Sequence, residues 1–405
     1  MTVDRPERVA TFEGLGYGLF LHWGLYSALG RGEWTLHQTD VDAEDYETLA
    51  EEFTAEAFDA RAIARTASDA GMNYVTLTAR HHDGFSLYDT EGLSEYDAIG
   101  AAAGRDLVAE FVDGCRAEGV VPFCYHTTLD WRWGSTDCSP EAFNEYVDYL
   151  HASLEGLCEY DLAGVWLDGD WSRDDVDWRL DERYELLRSG LDDPILITNT
   201  GIDARGEVSH PEVDAVTYEQ DVPSGPPDDP GIAAEACETL NRHWGRADRD
   251  YAYNSPADVI EHLAACRGVG ANYLLNVGPT AAGELPAYET ATIERVGGWV
   301  AAHPQVIEGR PVDCDPPGRD AVLATDEGLY YLAFDLAAGG SEDVVVGGGG
   351  AGPRAIGGLD RSVTGARWLD SGEELDVAQE DGLTTVDCTP FPYGTNTVVR
   401  VAELY

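Results

Sequence analysis

From residue 17 to about residue 303, short apolar runs alternate with amphipathic stretches, and the alternation occurs eight times. The runs are 17–24, 74–80, 120–126, 162–169, 194–200, 215–220, roughly 236–241, and 271–278. A short run that is apolar throughout suits a strand covered on both faces, as in a parallel sheet sheathed by helices. The intervening stretches carry helix punctuation. Ser139-Pro140-Glu141 reads as an N-cap with proline at the first helical position, followed by Phe143, Val147, Leu150 and Leu154 on one face. Ser255-Pro256-Ala257-Asp258 has capping-box spacing ahead of Val259, Ile260 and Leu263. The segment with Leu107, Val108, Phe111, Val112 and Cys115 stops at Gly119.

Eight such units predict an α/β fold, a (β/α)8 TIM-like barrel over residues 1–304. A doubly wound sheet is the alternative, but no glycine-rich phosphate turn follows the first strand. Beyond residue 305 the helical period disappears. Ala321–Leu323, Gly328–Ala333, Asp343–Val346, Ala366–Leu369, Leu383–Asp387 and Thr397–Val401 read as short strands, and Gly347–Gly350 as a loop tip. Residues 305–405 are therefore expected to form a small C-terminal all-β sandwich.

The formal charge is −51, from 76 acidic and 25 basic residues, and every basic residue is arginine. Such a surface repels itself, and molar salt screens it within about 3 Å. The acids are spread through periodic sequence rather than gathered in a tail. That pattern predicts a folded protein adapted to high salt, a halophilic protein. Nucleic acid is not an expected partner of such a surface. Without lysine there is no Schiff-base, pyridoxal-phosphate or phosphate-loop lysine chemistry. No signal-peptide core is present, and no apolar run reaches membrane-helix length, so a cytoplasmic location with no membrane partner is expected. The eight cysteines lack paired metal-ligand spacing and fit a reducing compartment.

The strand ends carry the chemistry. The first run ends Phe20-Leu21-His22-Trp23-Gly24, with Glu33-Trp34 soon after. The second ends at His81-His82-Asp83-Gly84, the third at Tyr125-His126 with Asp130-Trp131 beyond, and the fourth is Val165-Trp166-Leu167-Asp168-Gly169. The sixth ends Tyr218-Glu219-Gln220 and the eighth contains Asn276. Any one of these residues alone suits a structural role, and Asp168 alone would suit a helix N-cap. Recurrence on one rim points to a site, because barrel packing favours branched aliphatics. Rings that cover apolar sugar faces, with imidazoles and carboxylates that bond hydroxyls, suit a carbohydrate. A carboxylate pair then suits glycosidic cleavage, with Asp168 as nucleophile and Glu219 facing it across the mouth. Two other classes stay open: a metal-dependent barrel hydrolase using His22, His81, His82, His126 and Asp168, and a non-catalytic glycan-binding protein. Adjacent His81 and His82 would share a metal only if a turn separates them.

In order along the chain, Gly18-Leu-Phe-Leu-His22-Trp23-Gly24, Glu33-Trp34, His81-His82-Asp83-Gly84-Phe85, Val165-Trp166-Leu-Asp168-Gly169 and Asn272-Tyr-Leu-Leu-Asn-Val-Gly-Pro279 resemble the α-L-fucosidases of glycoside hydrolase family 29. The resemblance implies a barrel with a C-terminal β-sandwich and an exo-acting, retaining release of α-L-fucose from small fucosides, without metal or cofactor. It also implies Asp168 as nucleophile and His22, His81, His82 and Tyr125 as ligands of sugar hydroxyls. Glu33 would assist, and Trp166 would wall the fucose pocket beside Trp34. The acid/base is assigned to Glu219 from its strand end, with Glu238 as the alternative. The family often has an arginine after the fifth strand. Here that run is Ile197-Thr198-Asn199-Thr200-Gly201, with Arg205 as a possible substitute.

Overall fold

The computed structural model describes residues 5–227, 229–339, 350–395 and 398–405. Eight parallel strands close into a barrel: β1 (Tyr17–Leu21), β2 (Tyr74–Arg80), β3 (Val121–Thr127), β4 (Gly164–Asp168), β5 (Ile195–Asn199), β6 (Ala215–Glu219), β7 (Ala233–Thr239) and β8 (Asn272–Val277). Each strand pairs with the next, and β8 returns to β1 in the register Gly18 to Leu274 and Phe20 to Asn276.

Closure gives the interior a period of two. Phe20, Tyr74, Phe123, Tyr125, Trp166, Ile197, Ala215, Cys237 and Leu274 form one buried cluster inside the barrel. Helix Glu7–Leu15 precedes β1 and seals the bottom. Its Phe12 ring meets Tyr74 and Phe123 edge-on, at 5.7 Å in each case. The amphipathic reading did not anticipate this helix. Gly164 lies between β3 and β5, where a Cβ would collide with the Ile195 carbonyl oxygen and come within 2.7 Å of the Phe123 ring.

The outer ring departs from the expected pattern. Helices Ala60–Asp69, Leu107–Ala117, Pro140–Leu157, Leu180–Gly190, Pro256–Gly268 and Ala287–Ala302 follow β1, β2, β3, β4, β7 and β8. Among the described residues no α-helix joins β5 to β6 or β6 to β7. Those connections are short and rich in Gly, Pro and Asp, which favour turns. The capping residues behave as read: Ser139 accepts from Ala142 N–H, and Ser255 with Asp258 forms a complete capping box.

The C-terminal strands are β9 (Arg310–Pro311), β10 (Ala321–Ala324), β11 (Leu329–Ala333), β12 (Gly352–Gly357), β13 (Ala366–Trp368), β14 (Glu374–Leu375), β15 (Val377–Glu380), β16 (Leu383–Cys388) and β17 (Arg400–Leu404). They build two antiparallel sheets, ordered β14-β13-β17-β11-β10-β9 and β12-β16-β15. Tyr331, Trp368 and Ala402 of the larger sheet pack against Ile356, Val386 and Cys388 of the smaller one. Leu323, Leu332 and Val401 belong instead to the main core around the barrel. The expected strand Asp343–Val346 and most of the Gly347–Gly350 run lie outside the described residues, as does Thr397. Strands β12 and β15 escaped sequence reading because their apolar alternation is weak.

β7 begins at Ala233, three residues before the expected start, and this brings Glu235 into the barrel. Fully buried, Glu235 accepts hydrogen bonds from Tyr74 Oη at 2.6 Å and Trp166 Nε1 at 2.9 Å. Burial raises its carboxyl from the ordinary 4.5 to about 7. Glu235→Leu strands both donors and is expected to cost about 2–5 kcal/mol in urea unfolding. The gap should narrow between pH 4.5 and about 7. Over that range only the wild type loses this residue's share of stability, because Glu235 ionises in the unfolded chain while the folded carboxyl holds its proton.

Candidate active site

Inward-facing positions at the carboxyl ends of the strands meet at one rim. Asp168 closes β4, Asn199 closes β5 and Glu219 closes β6. The Asn199 amide is oriented by its own oxygen, which accepts from Gly201 N–H at 3.1 Å and Thr217 Oγ1 at 3.1 Å. Its Nδ2 therefore faces the two carboxylates, donating to Asp168 Oδ1 at 3.1 Å and to Glu219 Oε2 at 2.9 Å. The two N–H bonds of a planar amide diverge by about 120°, which sets those oxygens about 5 Å apart. That matches the roughly 5–5.5 Å of a carboxyl pair acting with retention.

Asp168 is 9% exposed and takes two further hydrogen bonds, from Trp171 Nε1 to Oδ1 at 2.7 Å and from Tyr125 Oη to Oδ2 at 2.9 Å. It caps nothing: the turn Asp170–Ser172 begins at Gly169 without a side-chain cap. Gly169 has φ of +126°, and a Cβ there would meet Thr128 Oγ1 at 2.9 Å. Burial raises the Asp168 carboxyl to about 7; the charge of Glu219 adds to this, and the bonds from Trp171, Tyr125 and Asn199 oppose it.

The histidines of the first two strand ends gather over this carboxylate. β2 has a bulge between Thr78 and Arg80, and the chain then turns. Arg80 faces outward into a buried pair with Asp130, while His81 and His82 both face the mouth with ring centroids 4.3 Å apart. Asp83 folds the turn, accepting from Tyr46 Oη and Phe85 N–H, and is no part of the rim. His82 Nε2 lies 3.5 Å from Asp168 Oδ2. His22 stands 5.6 Å from both His81 and Tyr125, ring to ring. Burial lowers all three imidazoles, His22 and His82 to about 3. They are neutral at neutral pH.

Rings complete the walls. Trp166 stacks on Tyr125 at 5.4 Å below, and Trp34 lies 5.5 Å from His82 above. Glu33 is buried and accepts from Gly245 N–H at 2.8 Å, beside Trp244, whose ring is 5.0 Å from His22. Burial raises the Glu33 carboxyl.

Three sequence candidates stand apart. His126 faces outward, with Nδ1 on the Thr127 carbonyl and Nε2 on Ser153 Oγ, so it braces helix Pro140–Leu157. Glu238 also faces outward, accepting from His262 Nδ1 and Tyr273 Oη at 2.7 Å each. Arg205 bonds the main-chain carbonyl of Glu219 rather than the carboxylate. Sequence reasoning passed over Trp171 and Trp244, and it named Trp131 and Asn199 without giving Asn199 a role. The strand-end position of Asn199 and the placing of Trp171 three residues after Asp168 were the available signals. Among the described residues, no three His, Cys, Asp or Glu side chains are grouped to hold a metal.

A family model described as "Alpha-L-fucosidase" matches residues 3–305. The α-L-fucosidase of Dictyostelium discoideum is 24% identical over 333 residues, covering 74% of this chain and 71% of that protein. The tissue α-L-fucosidase of Bos taurus is 25% identical over 369 residues, covering 83% and 76%. Among solved structures, α-L-fucosidase isoenzyme 1 from Paenibacillus thiaminolyticus superposes with a TM-score of 0.81 at 29% identity, covering 98% of each chain. A GH29 α-L-fucosidase from Bacteroides thetaiotaomicron, trapped as a covalent intermediate, has the same fold. Its TM-score is 0.83 at 20% identity, with 100% and 98% covered.

The electrostatics predict how Asp168 titrates. Its carbon-13 carboxyl resonance should move with a midpoint of about 7. Glu219→Gln removes a raising charge and should lower the midpoint, whereas Asn199→Ala and Trp171→Phe remove bonds to the carboxylate and should raise it.

Proposed function

The chain belongs to the α-L-fucosidase family of glycoside hydrolases, and from that premise we propose how its rim cleaves a fucoside. Asp168 is the nucleophile and Glu219 the acid/base of an exo-acting, retaining reaction. The observation that carries this reading is the Asn199 amide between the two carboxyl groups.

In the first step the Asp168 carboxylate attacks the anomeric carbon, the glycosidic C–O bond breaks, and Glu219 gives its proton to the departing oxygen. In the second step water attacks the same carbon, Glu219 takes a proton from it, and Asp168 leaves. Burial, and next the charge of Glu219, raise the Asp168 carboxyl, while hydrogen bonds from Trp171, Tyr125 and Asn199 favour its ionised form. Oδ1 already accepts two hydrogen bonds and Oδ2 accepts one, which leaves a lone pair on Oδ2 for carbon. His22, His81, His82 and Tyr125 bind sugar hydroxyls, Trp166 and Trp34 wall the pocket, and Glu33 holds the loop that carries Trp244.

The division at 304/305 belongs to the same proposal: helix Ala287–Ala302 ends the barrel's outer ring, and the antiparallel strands begin at Arg310. So does adaptation to molar salt. Arg80, Arg183, Arg267 and Arg400 are fully buried, so fewer positive charges remain outside to offset the acids. A cytoplasmic location is supported by eight free cysteines. No helix among the described residues is long and apolar enough to cross a membrane.

In molar KCl the protein should hydrolyse 4-nitrophenyl α-L-fucoside at a rate indifferent to EDTA, and Asp168→Ala should lower kcat/KM by more than about 10⁴-fold. Azide should divert Glu219→Gly to the α-fucosyl azide, since it attacks the covalent intermediate from the vacated face. Wild-type rates in either variant would refute its assignment. The thermal midpoint should climb between about 0.1 M and about 3 M KCl; a flat profile would refute the salt adaptation.

A further inference from the structure

Two hydrogen-bond chains behind the pocket determine which nitrogen of each imidazole carries a proton. The first runs through Asn276. Its Nδ2 donates to the Trp244 carbonyl at 2.7 Å, which fixes the amide orientation and turns Oδ1 toward His22 Nδ1, also at 2.7 Å. An amide oxygen accepts and never donates, so His22 Nδ1 is the protonated nitrogen. The second chain runs through Thr127. Its hydroxyl has one hydrogen, which goes to the Leu129 carbonyl at 2.7 Å. The same oxygen receives Leu129 N–H at 3.1 Å and faces His82 Nδ1 at 2.7 Å. With its only hydrogen spent, Thr127 Oγ1 can only accept from His82, so His82 Nδ1 is protonated too, and its Nε2, 3.5 Å from Asp168 Oδ2, lies beyond ordinary hydrogen-bond distance of that carboxylate.

We infer that His22 and His82 both face the sugar with a bare Nε2, fixed so by Asn276 and Thr127, and that the pocket therefore admits a sugar with two free hydroxyl hydrogens at those points. This rests on the fucoside reading of the site. A neutral imidazole with its Nδ1 proton already engaged has one remaining function, a lone pair. That lone pair takes a hydrogen from an O–H group and has nothing to offer an ether or ester oxygen. O-methylated, O-acetylated or fluorinated sugars at these positions leave it unpaired in a buried pocket, where the loss is large. The substrate class narrows to terminal fucose with unmodified hydroxyls facing the histidines. The Asn276 and Thr127 side chains are positioning residues, because they act through the rings.

His81 provides a contrast within the same site. Its Nδ1 is buried and without a hydrogen-bond partner among the described residues. A buried lone pair is tolerated better than a buried N–H, so its proton sits on Nε2.

Two-bond nitrogen–proton spectra of the full histidine-labelled chain test this at neutral pH, with His22→Asn and His82→Asn for assignment. The expected result is a protonated Nδ1 and bare Nε2 on both rings. A proton on Nε2 of either overturns the inference, and the wild-type spectrum alone decides this whether or not the variants fold. Thr127→Val should shift His82 toward the other tautomer, Thr127→Ser should restore it, and Asn276→Leu should shift His22. An unmoved tautomer in a folded Val or Leu variant overturns the positioning role. Binding of L-fucose and of its 3- and 4-position deoxy and deoxyfluoro analogues, by calorimetry in molar KCl, tests the substrate class. Fluorine accepts but does not donate. Each fluoro sugar that meets a histidine should bind as weakly as the deoxy sugar, about tenfold or more below L-fucose. Fluoro sugars that bind like L-fucose at both positions overturn the inference. Bare Nε2 atoms with no L-fucose binding uphold the tautomers and overturn the fucoside reading instead.

Discussion

One amide group organises the rim. Asn199 Nδ2 donates at once to Asp168 and Glu219, and its oxygen is tied to Gly201 and Thr217. The separation of two carboxyl groups is otherwise at the mercy of their mutual repulsion. A planar amide with a fixed flip aims its two N–H bonds at the two carboxyl groups and so holds them at a set spacing. The amide can do so because β4, β5 and β6 are adjacent and in register, with Asp168 paired to Asn199. Closure of the barrel is thus the condition for the chemistry, and the Phe12 seal and the buried Glu235 serve that closure from below.

Much of this was legible in the chain. Eight apolar runs announced the barrel, and the carboxyl ends of the runs announced the rim. The missed pieces have separate causes. Two connecting helices were inferred from the regularity of the pattern, and turn-forming residues replaced them. The start of β7 was read three residues late, leaving out Glu235, a carboxyl buried with two donors of its own. Period two then separates residues that sequence reading had set side by side: Tyr125 faces in and His126 out on β3, and Glu219 of β6 faces in while Glu238 of β7 faces out. A bulge in β2 breaks that rule for His81 and His82 and lets neighbours in sequence share one pocket. Asn199 offered only its strand-end position, since its role depends on which way its amide is flipped.

The acidic exterior and the buried rim answer to different physics. Outside, the excess of carboxylates acts through long-range repulsion, which salt removes. Inside, Asp168 is buried and held by hydrogen bonds from Asn199, Trp171 and Tyr125, where added salt has little reach. A chain with this composition can therefore depend on salt for folding while the buried Asp168 depends on it little.

The account turns on Asp168 as the atom that bonds to sugar. Incubation in molar KCl with 2-deoxy-2-fluoro-L-fucosyl fluoride, a mechanism-based label, followed by proteolysis and mass spectrometry of the peptides, tests this most directly. The account predicts one fluorofucosyl group per chain, carried by Asp168. A label on any other residue would contradict it, as would turnover of the reagent with release of the inverted sugar and no label.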